Sequence, residues 1–383
     1  VAGAILGGRV SRCGSRPLGG QVLVLKSPEG GNFYRGIETC GSVWVCPFCA
    51  AKIAEGRRRE VEATLDGHFA AGGLIYMAAF TIPHHAFQRC KDLCEAVSNC
   101  WRKVQAGEPW KRARRRVGLN WIICSKEVTF GGNGWHPHLH VLFLFDGSAG
   151  EAEIAEFGFY VFERWARFIE RAGYGKCSPE AWFFERVKSP RKAGKYVAKW
   201  GCDAELTKSH LKVSRKGGRT PWQLLVDALG GDQRAADLFE EYAYAFKGKK
   251  QLTWSKGLRE HYGVLPKVSD EDLAADETTP AEVVGVFSAA IFREIIAKRL
   301  AAAVLTAAER GGWPEVLALL DRNGVRVDDG ERAFARRAGP GDRGAGPGVD
   351  LRQAGPRPRC DQGRTPASGF DPATGEIIGG QAA

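Results

Sequence analysis

Three histidines stand at alternate positions, His136, His138 and His140, at the head of the apolar run Val141–Phe145 in GWHPHLHVLFLF (Gly134–Phe145). In an extended strand alternate side chains point to one face, and a run this apolar and partly β-branched reads as a strand. Imidazoles two residues apart on a strand converge on one point, as a divalent metal requires. The chain holds eight histidines in all, so their concentration here favours ligation over isolated structural roles. A strand of this kind recruits a further ligand from a neighbour. Gly131-Gly132-Asn133-Gly134 is a turn signal. With the turn centred between Gly132 and Asn133, antiparallel pairing sets Glu127 across from His138, whereas a slip of one residue turns it away. His136, beside Pro137 at the strand start, is the rival third ligand. A His/His/carboxylate set with open positions suits Mg²⁺ or Mn²⁺ acting on a phosphate better than a closed structural zinc.

Cys40, Cys46 and Cys49 carry separate chemistry. A Cys-x-x-Cys knuckle lets two thiolates share one ion, and Zn²⁺ takes four ligands in tetrahedral geometry. Cys40 is the third. Cys13 is the expected fourth, since no histidine lies nearby before His68, and a loop between Cys13 and Cys40 is an acceptable closure. A redox reading of Cys46 and Cys49 lacks a βαβ context. The other cysteines read as core residues or, for Cys360, a tail thiol.

A metal that polarises a phosphate still needs a nucleophile. Lys195-Tyr196-Val197-Ala198-Lys199 reads as helical, which puts Tyr196 and Lys199 on one face. A phenol, with a pKa near ~10, attacks poorly unless a base or a cation favours the phenolate. Lys199 can supply that field or steady the leaving oxygen. Alone, the pair is equally a common feature of amphipathic surfaces.

His-Leu-His at His138–His140 with Tyr-x-x-Lys at Tyr196–Lys199 resembles the HUH endonucleases. More closely, CGSVWVCPFCAAKI (Cys40–Ile53), FTIP (Phe80–Pro83), WHPHLHVLFLF (Trp135–Phe145), KYVAKW (Lys195–Trp200) and WSKGLR (Trp254–Arg259) resemble rolling-circle plasmid replication initiators, the Rep family, over roughly Arg12 to Gly263. The resemblance implies a sequence-specific nickase. It would cut one strand of a plasmid origin, become linked to the 5′ phosphate through Tyr196, and free a 3′ hydroxyl to prime synthesis. His138 and His140 would hold the metal on the scissile phosphate. Cysteine-rich N-termini accompany the resemblance. Partly single-stranded origin DNA, exposed by hairpin extrusion, and the host helicase and replication machinery are the implied partners. Some relatives carry a glutamate one helical turn before the tyrosine, for the terminating cut; here that position is Lys192. Glu185, Tyr242, Tyr244 or a second protomer would then serve. The rival readings are an HUH transposase or relaxase, a zinc-containing DNA-binding regulator without catalysis, and a hydrolytic phosphodiesterase.

The elements that must position these residues are legible in outline. Leu74–Ile82 reads as a buried strand, His84–Gln105 as a helix, Trp110–Arg116 as a short basic segment, and Asn120–Phe130 as the strand that pairs with the histidine strand. Ala149–Ala172 reads as an amphipathic helix with Phe157, Val161, Trp165 and Phe168 inward. Ala181–Val187 is a fourth strand, and Pro190–Trp200 a helix with proline at its start. The predicted class is α+β, an HUH-type antiparallel sheet flanked by helices with an N-terminal Cys-rich zinc module. The expected divisions are 1–50 for the zinc module, 51–265 for the endonuclease domain, 266–325 for a linker and C-terminal helices, and 326–383 for a disordered tail. Within them, Ala51–Ala71 and Thr220–Lys250 read as helical, Ser269–Thr279 as an acidic linker, and Pro280–Leu320 as one or two Ala-rich helices.

The 383 residues can bury a substantial core. The net charge of +11 favours a polyanionic partner. Candidate phosphate contacts are Arg57, Arg58 and Arg59, then Arg112, Arg114, Arg115 and Arg116, then Lys216 and Arg219 in KVSRKGGR. Trp110 and Trp135 are the expected stacking partners for unpaired bases. No apolar stretch approaches the ~20 residues that span a bilayer, and nothing at the N-terminus resembles a signal peptide. Eleven unevenly clustered cysteines fit a reducing compartment, so the expected location is cytoplasmic. A start at Val1 with a lone Met77 reads as a fragment or an alternative start.

Overall fold

A computed structural model describes residues 2–27, 31–188, 218–264, 268–275 and 281–327. Tyr196, Lys199, Lys192, Lys216, the expected helix Pro190–Trp200 and the tail beyond Val327 lie outside them. In chain order the strands are β1 (Gln21–Lys26), β2 (Asn32–Arg35), β3 (Leu74–Thr81), β4 (Leu119–Gly131), β5 (Gly134–Phe145), β6 (Phe183–Arg186), β7 (Leu252–Trp254) and β8 (Glu282–Ser288). The longer described helices are α1 (Pro47–Ala70), α2 (Cys90–Val104), α3 (Gly107–Arg116), α4 (Glu151–Arg171), α5 (Pro221–Leu229), α6 (Gln233–Phe246), α7 (Ala289–Ala297) and α8 (Ala301–Arg322), the last broken at Gly311 and Gly312. The class is α+β, with antiparallel sheets flanked by helices.

The central sheet runs β6–β3–β5–β4–β7, all antiparallel, with the histidine strand in the middle. Alternation along β5 divides its side chains between two cores. Leu139, Val141, Phe143 and Phe145 pack on one face with Leu93, Val97 and Trp101 of α2 and Phe157, Val161 and Trp165 of α4. Leu142 and Leu144 face the other way, against Val61 and Leu65 of α1. Each fully buried aromatic or aliphatic side chain contributes about 1.5–3 kcal/mol. With both faces covered, the register of β5 is fixed, since a slip of one residue would exchange the two sets.

Three expectations need correction. The helix after β3 begins at Cys90, not His84. Residues 84–89 form a loop that lies against Gly134, where an added Cβ would come within 2.9 Å of the Ala86 Cα. Gly134 also has φ +83, so the strand start needs glycine on both counts. Second, the N-terminal fifty residues are not a module apart. β1 pairs with β2 on one side and with β8 on the other, from Gln21↔Ser288 to Lys26↔Glu282. This three-stranded sheet buries Val22, Val24 and Phe287 against Phe292 and Ile295 of α7 and Trp313 and Val316 of α8. Boundaries at residues 50 and 265 would cut through it, and Glu282–Ser288 is a strand where Ala-rich helix was expected. Third, part of the acidic stretch, Asp270–Ala275, is helical, and Asp270 is tied to Arg57 of α1 at 2.6 Å. No described helix is long and apolar enough to cross a membrane.

Candidate metal centres

β4 and β5 meet through the two-residue connection Gly132-Asn133, and the resulting register sets Glu127 opposite His138 and Ser125 opposite His140. Directly opposed residues share a face. The Nε2 atoms of His138 and His140 lie 3.0 and 3.1 Å from the same Glu127 oxygen, Oε2. His138 is oriented from its other nitrogen, Nδ1, which lies 3.3 Å from the His136 carbonyl. Pro137 sits just beyond the last β3–β5 pair, Thr81↔His138, where β5 keeps a neighbour on one side only. That is a strand position where a missing N–H is tolerated.

Burial disfavours ionisation of Glu127, but hydrogen bonds from His138 and His140 outweigh it and hold the carboxyl well below the usual carboxylate range. Burial pushes His140 down, against the opposing pull of Glu127, and so favours the neutral imidazole that a metal needs. Glu127, His138 and His140 offer ligand atoms that all lie within 4.8 Å of one another, so the set could hold a metal ion. A buried polar atom supports that fit: the Ser125 hydroxyl, on the same face, is 1% exposed and has no hydrogen-bond partner among the described residues. Serine in the middle of a strand gives no sequence signal, and only the register brings it here. His136 falls outside this set. Its ring lies 5.3 Å from that of His138 and 4.9 Å from that of His84.

The second cluster forms where three segments meet. Cys46 caps the N-terminus of α1, with Pro47 in its first turn and Cys49 one turn in. Thiolates are favoured at a helix N-terminus. The Cys13 loop is held beside the Cys40 loop by paired backbone bonds, Gly14 N to Glu38 O at 2.8 Å and Glu38 N to Arg16 O at 2.7 Å. An Arg12–Glu38 ion pair at 3.0 Å reinforces them. The sulfurs of Cys13 and Cys46 are each 3.4 Å from a neighbour in the cluster, Cys49 and Cys13 respectively, and Cys40 is 3.7 Å from Cys49. A tetrahedral zinc with ~2.3 Å bonds places its sulfurs about 3.8 Å apart, so the four thiols could bind zinc. Hydrogen bonds from Cys13 drive the Cys49 and Cys40 thiols toward the thiolate, while shared hydrogen bonds push Cys46 and Cys13 up.

Most of the described basic candidates are engaged within the chain, and Arg112 is exposed on α3. Arg57 pairs with Glu60 and Asp270, Arg58 with Glu55 and Glu62, and Arg59 with Glu55. Arg114 donates to the carbonyls of Leu119 and Asn120. Arg115 pairs with Glu108 and Arg116 with Glu156, both largely exposed. Arg219 pairs with Asp227. Trp110 and Trp135 are 3% and 2% exposed, so neither offers a face to a base. The Trp135 indole is anchored to Glu241 at 3.0 Å. Tyr242 is buried with its hydroxyl bonded to the Trp44 carbonyl at 2.9 Å, the role of a packing residue. Glu185 is exposed on β6 opposite Met77, several residues along β3 from Thr81, the partner of His138.

The chain is similar to the protein named Protein rep of Streptomyces lividans, with 27% identity over 308 residues that cover 63% of this chain and 68% of that protein. It is also similar to a neomycin resistance protein of Streptomyces cyanogenus, with 26% identity over 151 residues, 33% of this chain and 35% of that protein. No family model matches the chain. No solved structure matches it.

Proposed function

We propose that this chain is a rolling-circle replication initiator of the HUH type, which nicks one strand of a plasmid origin and stays linked to the 5′ phosphate. The observation that carries the proposal is the convergence of Glu127, His138 and His140 from two adjacent strands onto one point. The likeness to Protein rep supports a role in replication, and the central sheet with β5 in its middle fits an HUH-type core.

The separations of 3.0 and 3.1 Å are hydrogen-bond distances, and an ion seated among the three ligand atoms would take the place of those bonds; the positions such a set leaves open suit Mg²⁺ or Mn²⁺. Such an ion, when bound, polarises a phosphate oxygen and offsets its charge. His138 and His140 would hold the ion through their Nε2 atoms, and Glu127 would supply a compensating negative charge. The Tyr196 Oη is the nucleophile. It forms a bond to phosphorus as its proton leaves, the bond from phosphorus to the 3′ oxygen breaks, and that oxygen takes a proton and departs as a hydroxyl. One phosphodiester is exchanged for another, so no water is consumed. Lys199 steadies the phenolate or the leaving oxygen. The four cysteines hold a structural zinc. Host helicase and polymerase would extend from the freed 3′ end.

The test uses 3′-labelled single-stranded oligonucleotides tiling the replicon that encodes the chain, incubated with protein and Mn²⁺ and run on a denaturing protein gel. Label transferred to protein, and lost in Tyr196→Phe and with EDTA, is the expected result. Cleavage without transfer would instead show a hydrolytic phosphodiesterase, and intact DNA that is nonetheless bound would show a regulator.

A further inference from the structure

Two large side chains that line one groove are strongly exposed: Phe87, 93% exposed, in the loop before α2, and Tyr244, 67% exposed, on α6. The groove has a volume of about 530 Å³ and is also lined by Phe130 and Trp135 near the tip of the β4–β5 hairpin. Arg89, Lys91 and Arg234 line it, and the Lys91 ammonium lies 5.4 Å over the Tyr244 ring. Two carboxylates also line it, Asp92 and Glu241. The Glu241 carboxylate is occupied from within, accepting the Cys90 amide at 2.8 Å on one oxygen and the Trp135 indole N–H at 3.0 Å on the other.

The groove is joined to the histidine strand. The backbone of His85 and Ala86 rests on Gly134, two residues before His136. The ring of His84 sits 4.9 Å from that of His136, which sits 5.3 Å from that of His138, and on the outer side the His85 ring is 6.4 Å from Phe87. The segment His84–Phe87 thus meets the histidine strand at His84 and the groove at Phe87. Exposed aromatics interleaved with cations are what binds single-stranded nucleic acid without sequence preference, since every base has a face to stack and every link has a phosphate.

We infer that this groove binds single-stranded DNA flanking the scissile phosphate, with Phe87 and Tyr244 stacking on bases and Arg89, Lys91 and Arg234 holding phosphates. The inference rests on the nickase reading for where the strand comes from. Phe87 and Tyr244 are both exposed, so removing either leaves the core intact.

The full chain, in EDTA to prevent cleavage, is titrated into a fluorescein-labelled oligothymidylate of about twenty nucleotides, and anisotropy is read. Phe87→Ala and Tyr244→Ala are each expected to weaken binding about tenfold, with Tyr244→Phe near the parent. Arg89→Ala should instead make the salt dependence shallower, by about 0.7 in the slope of log affinity against log salt. Circular dichroism melts check that each variant folds. Absence of oligothymidylate binding, or aromatic variants within twofold of the parent, overturns the groove. If those variants bind normally while Tyr196 still forms its adduct, only the groove falls. If binding depends on the aromatics and no adduct forms on tiled DNA, the groove stands and the nickase reading falls.

Discussion

The two metal-ready clusters of this chain are built to opposite designs. Cys13, Cys40, Cys46 and Cys49 close on one another from three segments, and Cys49 is wholly buried. Glu127, His138 and His140 come from one hairpin, and the Glu127 side chain stays 26% exposed. A four-thiolate set completes the coordination of zinc and leaves no position for a substrate. A set of two imidazoles and one carboxylate leaves positions open. The cysteine cluster joins the start of α1 to two loops that a few backbone bonds and one isolated bridge hold together, whereas the histidine cluster sits on a long continuous ladder. A metal bound at the first would therefore add stability, and one bound at the second would keep positions open to a substrate.

The largest expected effect breaks the first cluster. Cys46→Ser should abolish about one equivalent of zinc by elemental analysis and with it the cooperative melt, since a structural zinc is worth about 10–16 kcal/mol and a domain about 5–15. Full zinc content in that variant would remove the contrast altogether. Next comes the second cluster. Glu127→Gln and His138→Ala should each weaken Mn²⁺ binding by calorimetry about a hundredfold or more, with zinc retained and the melting temperature within a few degrees of the parent. Unfolding of either variant would show that this site, too, is structural. Brief EDTA treatment should separate the two without mutation: adduct formation stops and returns with Mn²⁺, while the zinc stays with the protein. The smallest effects concern the arginines. Arg57→Ala, which strands part of the Glu60–Asp270 network, should cost about 1–3 kcal/mol in denaturant melts. Arg115→Ala, at an exposed pair, should cost less than about 0.5 kcal/mol, and a measurable loss of DNA affinity there would mark a phosphate contact.

The hairpin was readable from sequence because its information is local. Gly-Gly-Asn-Gly sets the turn, the apolar alternation sets the faces, and together they place Glu127 opposite His138. Cys13 was found from the chemistry of zinc, not from pattern. What escaped was non-local. QVLVLK at Gln21–Lys26 is a strand because EVVGVFS at Glu282–Ser288 completes its sheet, and no local signal links the two. Ser125 became part of the site only through register. Tryptophan reads as a stacking residue by type, but type alone does not disclose burial. Trp110 and Trp135 are core residues, while exposure singles out Phe87 and Tyr244. Arg57 and Arg58 show the same limit, since a basic run in sequence does not disclose the carboxylates that meet it in space.

The pairing of β1 with β8 sets an order of events during synthesis. Val22 and Val24 leave the ribosome long before Phe287 and Gly285, their partners in the finished sheet. Until then β1 has β2 on one side and an open row of backbone donors and acceptors on the other. Contacts so far apart in sequence form slowly. A chain interrupted before Glu282 would keep that edge bare and be prone to associate through it, even with its hairpin folded and its cysteines loaded.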